Sequence, residues 1–296
     1  MFSSLMTPLG GLLTALGGFS AFYVTMWWSA VSKASPKESA LELGTGFVTN
    51  FFDTLGIGSF APTTSIFKFF KIVPDQKIPG TLNVGHTLPT IAEAFIYTAV
   101  VAVEPWTLIS MIAAAVAGAF LGAGVVASWP KRNVQIGMGS ALLVAAVLFT
   151  YKNLPSLTGH PNLLSGSDNG TLGLAGVLLI VGLVGNFVLG ALMTLGIGMY
   201  APCMILVSLL GMNAKSAFPI MMGSCAFLMP VSSARFVKKD AYALRPALAL
   251  AIGGLPGVLI AAFIVKDMDL QYVRWLVIGV VTIAATMMLR SAAKNE

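Results

Sequence analysis

Two carboxylates, an imidazole and a set of amides and hydroxyls stand inside stretches that are otherwise apolar. They are Asn50, Asp53, Asn83, His86 and Glu93 in the first half of the chain, and Asn186, Ser224, Ser232 and Ser233 in the second, with Arg235 at its inner edge. An ionisable group at membrane depth is costly, so each is first read as functional. Asp53 precedes a glycine-rich interruption and Glu93 follows Pro89, which suits both, with Arg235, to coupling or gating. Their approximate counterparts in the second half, Met193 and Ser233, supply no carboxylate. Plainer roles stand beside these: a helix cap for Asp53, an ion pair with a basic residue such as Arg235 for Glu93, and a hydrogen-bonded interior position for His86. Thr81 and Asn83 offer neutral donors to an anion, although Thr81 can instead bond its own helix backbone. Cys203 and Cys225 read as buried packing residues, with a binding role for Cys225 as the sharper alternative.

The interruption itself is the stronger signal. "TLGIGSFAP" at 54–62 lies where a membrane helix is expected, yet Gly56, Gly58 and Pro62 are poor residues for a helix interior. The same words return at 194–202 as "TLGIGMYAP". A break inside hydrocarbon exposes backbone N–H and C=O groups, tolerated only where they line a cavity or meet a ligand. Glycine admits a ligand to the backbone, and the half-helix that follows directs N–H groups and a positive dipole end toward it. The candidate substrate-binding residues are therefore Gly56, Ile57, Gly58 and Ser59 at one break and Gly196, Ile197, Gly198 and Met199 at the other, with Thr81, Asn83, His86 and Cys225 beside them. Close helix packing by small residues is the alternative use of these glycines.

These groups need elements to hold them. The chain is 57% hydrophobic and 9% charged, with a mean hydropathy of +0.88, whereas soluble domains carry roughly 25% charged residues. Apolar runs approach the roughly 20 residues needed to cross about 30 Å of hydrocarbon, so the expectation is an all-α integral membrane protein. The segments fall at 7–31, 41–72, 78–103, 106–128, 134–151, 172–211, 214–234, 243–265 and 271–290. Those at 41–72 and 172–211 are too long for one crossing and contain the breaks. Each is either a re-entrant pair or a crossing helix followed by a short one. The N-terminal run closes on Trp27 and Trp28 and reads as a retained first helix, not a signal peptide.

Charge decides between the two arrangements. If each broken segment returns to its starting side, all but four (Lys152, Lys215, Lys266 and Arg274) of the 17 Lys and Arg fall on or near one face. That face is cytoplasmic by the positive-inside rule, which places the N-terminus outside and the C-terminus inside a multi-pass protein of the cytoplasmic membrane. The net charge of +6 is accounted for by lipid headgroups and orientation, and no nucleic-acid partner is expected.

At an offset of 140, Phe47, Val48, Thr54 to Gly58, Ala61 and Pro62 meet identical residues. The chain then divides into an N-terminal helix and loop (1–40), a first repeat (41–151), an external linker (152–171) and a second repeat with its tail (172–296). Each repeat is a broken helix pair plus three transmembrane helices. An odd number of crossings inverts the second repeat relative to the first, the plan of secondary transporters whose sites lie near the midplane.

At these residues the chain resembles the sulfite exporter TauE/SafE family of membrane permeases. The resemblance is carried by "GFVTNFFDTLGIGSFAPTT" and "GLVGNFVLGALMTLGIGMYAP", and its layout extends over most of 41–290. It implies movement of sulfite, an organosulfonate or a related sulfur-containing anion, bound between the two breaks. The membrane potential favours anion export by about 2.3 kcal/mol per charge per 100 mV, so uptake needs a compensating cation, for which the proton is the candidate. No cofactor or metal is expected. An intramembrane enzyme finds no HExxH motif, close acidic pair or nucleophile with an evident base. A membrane scaffold or assembly subunit is the other alternative.

Overall fold

The computed structural model describes residues 7–32, 39–122, 130–154, 170–193, 198–266 and 268–294, and among them the protein is all-α. The helices are α1 (Pro8–Val31), α2 (Ala40–Thr54), α3 (Phe60–Phe69), α4 (Ile78–Val100), α5 (Pro105–Ala117), α6 (Lys131–Asn153), α7 (Gly176–Met193), α8 (Tyr200–Leu209), α9 (Ala217–Lys238), α10 (Leu244–Lys266) and α11 (Leu270–Ala293). A π turn, Gly118–Gly122, extends α5. Local chemistry sets several starts. Thr7 caps α1 by accepting the Gly10 amide at 3.1 Å ahead of Pro8. Glu104 caps α5 by accepting the Trp106 and Thr107 amides at 2.9 and 2.6 Å ahead of Pro105. Such caps are worth about 1 kcal/mol each, and proline at the first position loses no bond it would otherwise make.

Five helical stretches among the described residues are long and apolar enough to cross a membrane: Pro8–Val31, Gly176–Met193, Ala214–Lys238, Leu244–Ile264 and Gln271–Ala293. On α7, Val177, Ile180, Val181, Val184 and Val188 recur at helical spacing and are all exposed. In water such a stripe would drive association; in a bilayer it meets acyl chains. This is a membrane-embedded protein. α7 has 18 residues, about 27 Å of helix, whereas α2 has 15 and reaches about 22 Å. The second broken segment therefore starts with a helix long enough to cross, which the first lacks.

Both breaks fall where the glycines predict. α2 ends at Thr54, the backbone turns left-handed at Gly56 (φ 94°) and Gly58 (φ 89°), and α3 begins at Phe60. α7 ends at Met193 and α8 begins at Tyr200. The turns that follow repeat bond for bond. Phe70 N–H donates to the Ile66 carbonyl at 3.0 Å and Ile72 N–H to Phe67 at 2.9 Å; 140 residues on, Leu210 donates to Leu206 at 3.0 Å and Met212 to Val207 at 3.2 Å. Lys71 (φ 52°) takes the left-handed position that Gly211 (φ 85°) takes in the second copy.

The chain forms two compact units, and each draws on both sequence halves. One comprises Met1–Thr54, Gly58–Val100 and Met222–Ile264; the other comprises Leu55–Ile57, Val101–Met221 and Val265–Glu296. In the first, α2 packs on α10: Gly46 lies against the Leu250 backbone, a side chain at Gly257 would run into the Phe47 carbonyl, and one at Gly254 into the Asn50 amide. In the second, α7 packs on α5: Asn186 Nδ2 donates to the Met111 carbonyl at 2.7 Å, a side chain at Gly118 would meet the Phe187 carbonyl, and one at Gly190 the Ala115 carbonyl. Each of these pairs has its counterpart 140 residues away on the broken segment and 139 on its partner. Glycine at these contacts brings backbones into touch, the packing that lipid-embedded helices rely on. The first unit's core includes Phe67, Val73, Ile78, Leu82 and Leu250.

Candidate functional site

The sequence places an uncommon number of buried polar groups around the first break, and α4 is the element that organises them. His86, Thr90, Glu93 and Tyr97 recur at spacings of four, three and four, which puts them on one helix face. All four are buried, with His86 and Glu93 at 0% exposure. Glu93 Oε1 accepts the Thr54 hydroxyl at 2.7 Å. One turn on, the Tyr97 hydroxyl donates to the Thr54 carbonyl at 3.2 Å. The last residue of α2 is thus held from α4 at both its side chain and its backbone.

His86 is held at both ring nitrogens. Nδ1 lies 3.0 Å from Asn50 Oδ1, and Nε2 lies 3.1 Å from the Thr63 hydroxyl. Asn50 Nδ2 donates to the Gly46 carbonyl at 2.7 Å, which fixes the amide so that its oxygen faces the ring. Nδ1 must then carry hydrogen. The Phe60 ring lies over the imidazole at a centroid distance of 5.8 Å. This interior arrangement ties α2, α3 and α4 together.

Asp53, 3% exposed, accepts the Ser59 amide at 2.7 Å through Oδ1. Its carboxylate sits at the amino end of α3, in the position a bound anion would take. Pro62, in the first turn, has no N–H, so the amides of Phe60 and Ala61 are the remaining donors there. Gly58 faces open space, with nothing within 4 Å of where a Cβ would lie. At the second break the residue corresponding to Asp53 is Met193, and α8 starts without a side-chain cap. Gly198 also faces open space, and Met199 is buried.

The remaining predicted residues have specific places. Thr81 donates to the Lys77 carbonyl at 2.8 Å and accepts the Ala243 amide at 2.9 Å, linking α4 to the turn before α10. Asn83 Oδ1 accepts the Ser232 hydroxyl at 2.7 Å, and Thr87 meets Ser233 at 3.0 Å, so a second polar face of α4 joins α9. Cys225 is buried on α9, and Arg235 lies in its last turn. Gly56 and Ile57 belong to the second compact unit, where a side chain on Gly56 would collide with the Met204 sulfur. Gly196 and Ile197 lie outside the described residues. Outside this network, Glu42, almost fully buried, is neutralised by Arg245 at 2.6 Å.

Sequence reading missed Thr54, Thr63 and Tyr97. Their signal is positional: the two threonines flank the break at equal remove from its glycines, and Tyr97 continues the face of His86 and Glu93. No family model, curated protein or solved structure matches the chain.

Proposed function

We propose that this protein is a secondary transporter that moves a small anion, sulfite, an organosulfonate or a related sulfur-containing anion, across the cytoplasmic membrane. The observation that carries the reading is the first break: an interrupted helix inside an apolar chain, with Gly58 open on one side and Asp53, Thr54, Ser59, His86 and Glu93 gathered around it. Backbone irregularity at membrane depth has a use where it meets a ligand, and buried ionisable groups have one where charge must move. The resemblance of the two glycine motifs to sulfite exporters supplies the substrate class.

An inverted repeat is part of the proposal. It is supported by the turn hydrogen bonds that recur 140 residues apart and by the reciprocal use of partners, α10 from the second half beside α2 and α5 from the first half beside α7. Each half then contributes a broken pair and three long helices, with an external N-terminus and an internal C-terminus.

The two breaks have different roles in this reading. At the second, Met193 leaves the amino end of α8 open to an anion. At the first, Asp53 already occupies the equivalent place and repels one until it takes up a proton. Protonation of Asp53 and arrival of the anion then favour each other, which links the two fluxes in the same direction. Ligand-dependent stabilisation tests the binding half of the claim. The purified protein should melt at higher temperature as sulfite or taurine is added, by an amount that grows with the logarithm of concentration above Kd. No shift with any sulfur-containing anion would contradict it.

A further inference from the structure

Thr54 and Thr63 stand on either side of the break, and each has one hydroxyl hydrogen with two claimants. Thr54 Oγ1 lies 2.8 Å from the Asn50 carbonyl and 2.7 Å from Glu93 Oε1. Thr63 Oγ1 lies 2.8 Å from the Ser59 carbonyl and 3.1 Å from His86 Nε2. A hydroxyl donates once and accepts twice. Around Thr54 both neighbours are acceptors when Glu93 is ionised, so only one of them can receive the hydrogen. When Glu93 is protonated, its own O–H donates to Thr54 Oγ1 and Thr54 passes its hydrogen to the Asn50 carbonyl. Every hydrogen then has an acceptor, and no heavy atom needs to move.

We propose that Glu93 is a proton-binding site of the transport cycle and that Thr54 is the hydroxyl that carries its charge state to the break. The proposal rests on the transport reading above and deepens it by naming a coupling ion and its seat. In the loaded form, Glu93, Thr54 and the Asn50 carbonyl make a continuous donor chain, and Tyr97 holds the Thr54 carbonyl. On release the proton passes to water along the permeation path and the electron pair stays on the carboxylate. The Thr54 hydrogen then turns to Glu93, and the last turn of α2 loses its side-chain bond to Asn50. A bare carboxylate at 0% exposure is costly, so the ionised form favours any movement at Gly56 and Gly58 that admits water.

The other ionisable groups on the packed elements are engaged elsewhere. Asp53, beside Thr54 on α2, faces Ser59, and His86, two turns back on α4, is held by Asn50 and Thr63. Tyr23 on α1 donates to the Val84 carbonyl at 2.6 Å, and Glu42 is paired with Arg245 of α10. Arg235 stands in the last turn of α9, and Lys68 in that of α3.

The test is pH-jump difference infrared spectroscopy on the full chain in liposomes, which needs no substrate. We expect a protonated-carboxyl C=O band at neutral pH that disappears in Glu93→Gln and survives in Asp53→Asn. The band should move to higher frequency in Thr54→Val, where the acid loses its acceptor, and return in Thr54→Ser. A band unchanged by Glu93→Gln, or unmoved by Thr54→Val, would overturn the proposal. Labelled sulfite flux in the same liposomes separates the two claims. Flux without the Glu93 band removes the proton site alone, and the band without flux in the wild-type protein removes the transport reading.

Discussion

The Ser59 amide donates to Asp53 Oδ1 at 2.7 Å across the first break, so the chain closes its own half-helix with a carboxylate. The cap and the coupling role make different predictions. In Asp53→Asn the amide oxygen can still accept the Ser59 bond, so stability should fall by about 1 kcal/mol or less. If Asp53 takes up a proton with the anion, the same variant binds substrate but moves it without regard to an imposed pH gradient. Proteoliposome flux with and without the gradient measures this, and an unchanged gradient response would remove Asp53 from the coupling step.

Gly58 and Gly198 face open space equally but differ in backbone, since Gly58 holds a φ of 89° while the second break's glycine is not left-handed. Gly58→Ala should therefore cost roughly 1–2 kcal/mol of stability, and Gly198→Ala close to nothing. Thermal unfolding in detergent gives both values. A larger loss at Gly198 would mean that its surroundings are closed.

The contacts shared by the two units predict matched sensitivities. Gly257→Leu and Gly118→Leu each drive a side chain into a backbone carbonyl, of Phe47 and Phe187 respectively, and each should cost more than about 2 kcal/mol. Gly137, with nothing within 4 Å, should accept alanine without loss. Expression as folded, monodisperse protein ranks the three, and a tolerant Gly118 beside an intolerant Gly257 would break the correspondence between units.

Glu104 gives a pH dependence outside the membrane segments. Desolvation raises its carboxyl slightly, but hydrogen bonds from the Thr107 side chain and the Trp106 and Thr107 amides outweigh it and hold the group below its ordinary 4.5. A depressed carboxyl stabilises the fold above its unfolded value and loses that contribution as pH falls through the folded value. Melting temperature should therefore drop more steeply on acidification below 4.5 in the wild type than in Glu104→Gln. Parallel curves would show that the cap is energetically silent.

Much of this was legible in residue spacing. The glycines and prolines at 54–62 and 194–202 mark both interruptions because few other residues tolerate a left-handed backbone or a missing N–H there, and apolar runs bracket the long helices within a few residues. The site was only half legible. Asp53, His86 and Glu93 stand out because charge is rare in an apolar chain. Thr54 and Thr63 do not, since a threonine in a helix ordinarily bonds the carbonyl four residues back, and both do so as well as meeting α4. The exchange of α5 and α10 between units was invisible for another reason: hydropathy reports that a helix is apolar, not which broken segment it packs against. The length of α7 was hidden inside one long apolar run.

Flux of labelled sulfite into liposomes holding the purified protein tests the central claim most directly. The account predicts saturable flux that responds to a pH gradient, is lost in Gly198→Leu while the protein remains folded, and is competed by taurine or another sulfonate. Flux indistinguishable from that of empty liposomes, for sulfite and for organosulfonates alike and under either gradient, would contradict it.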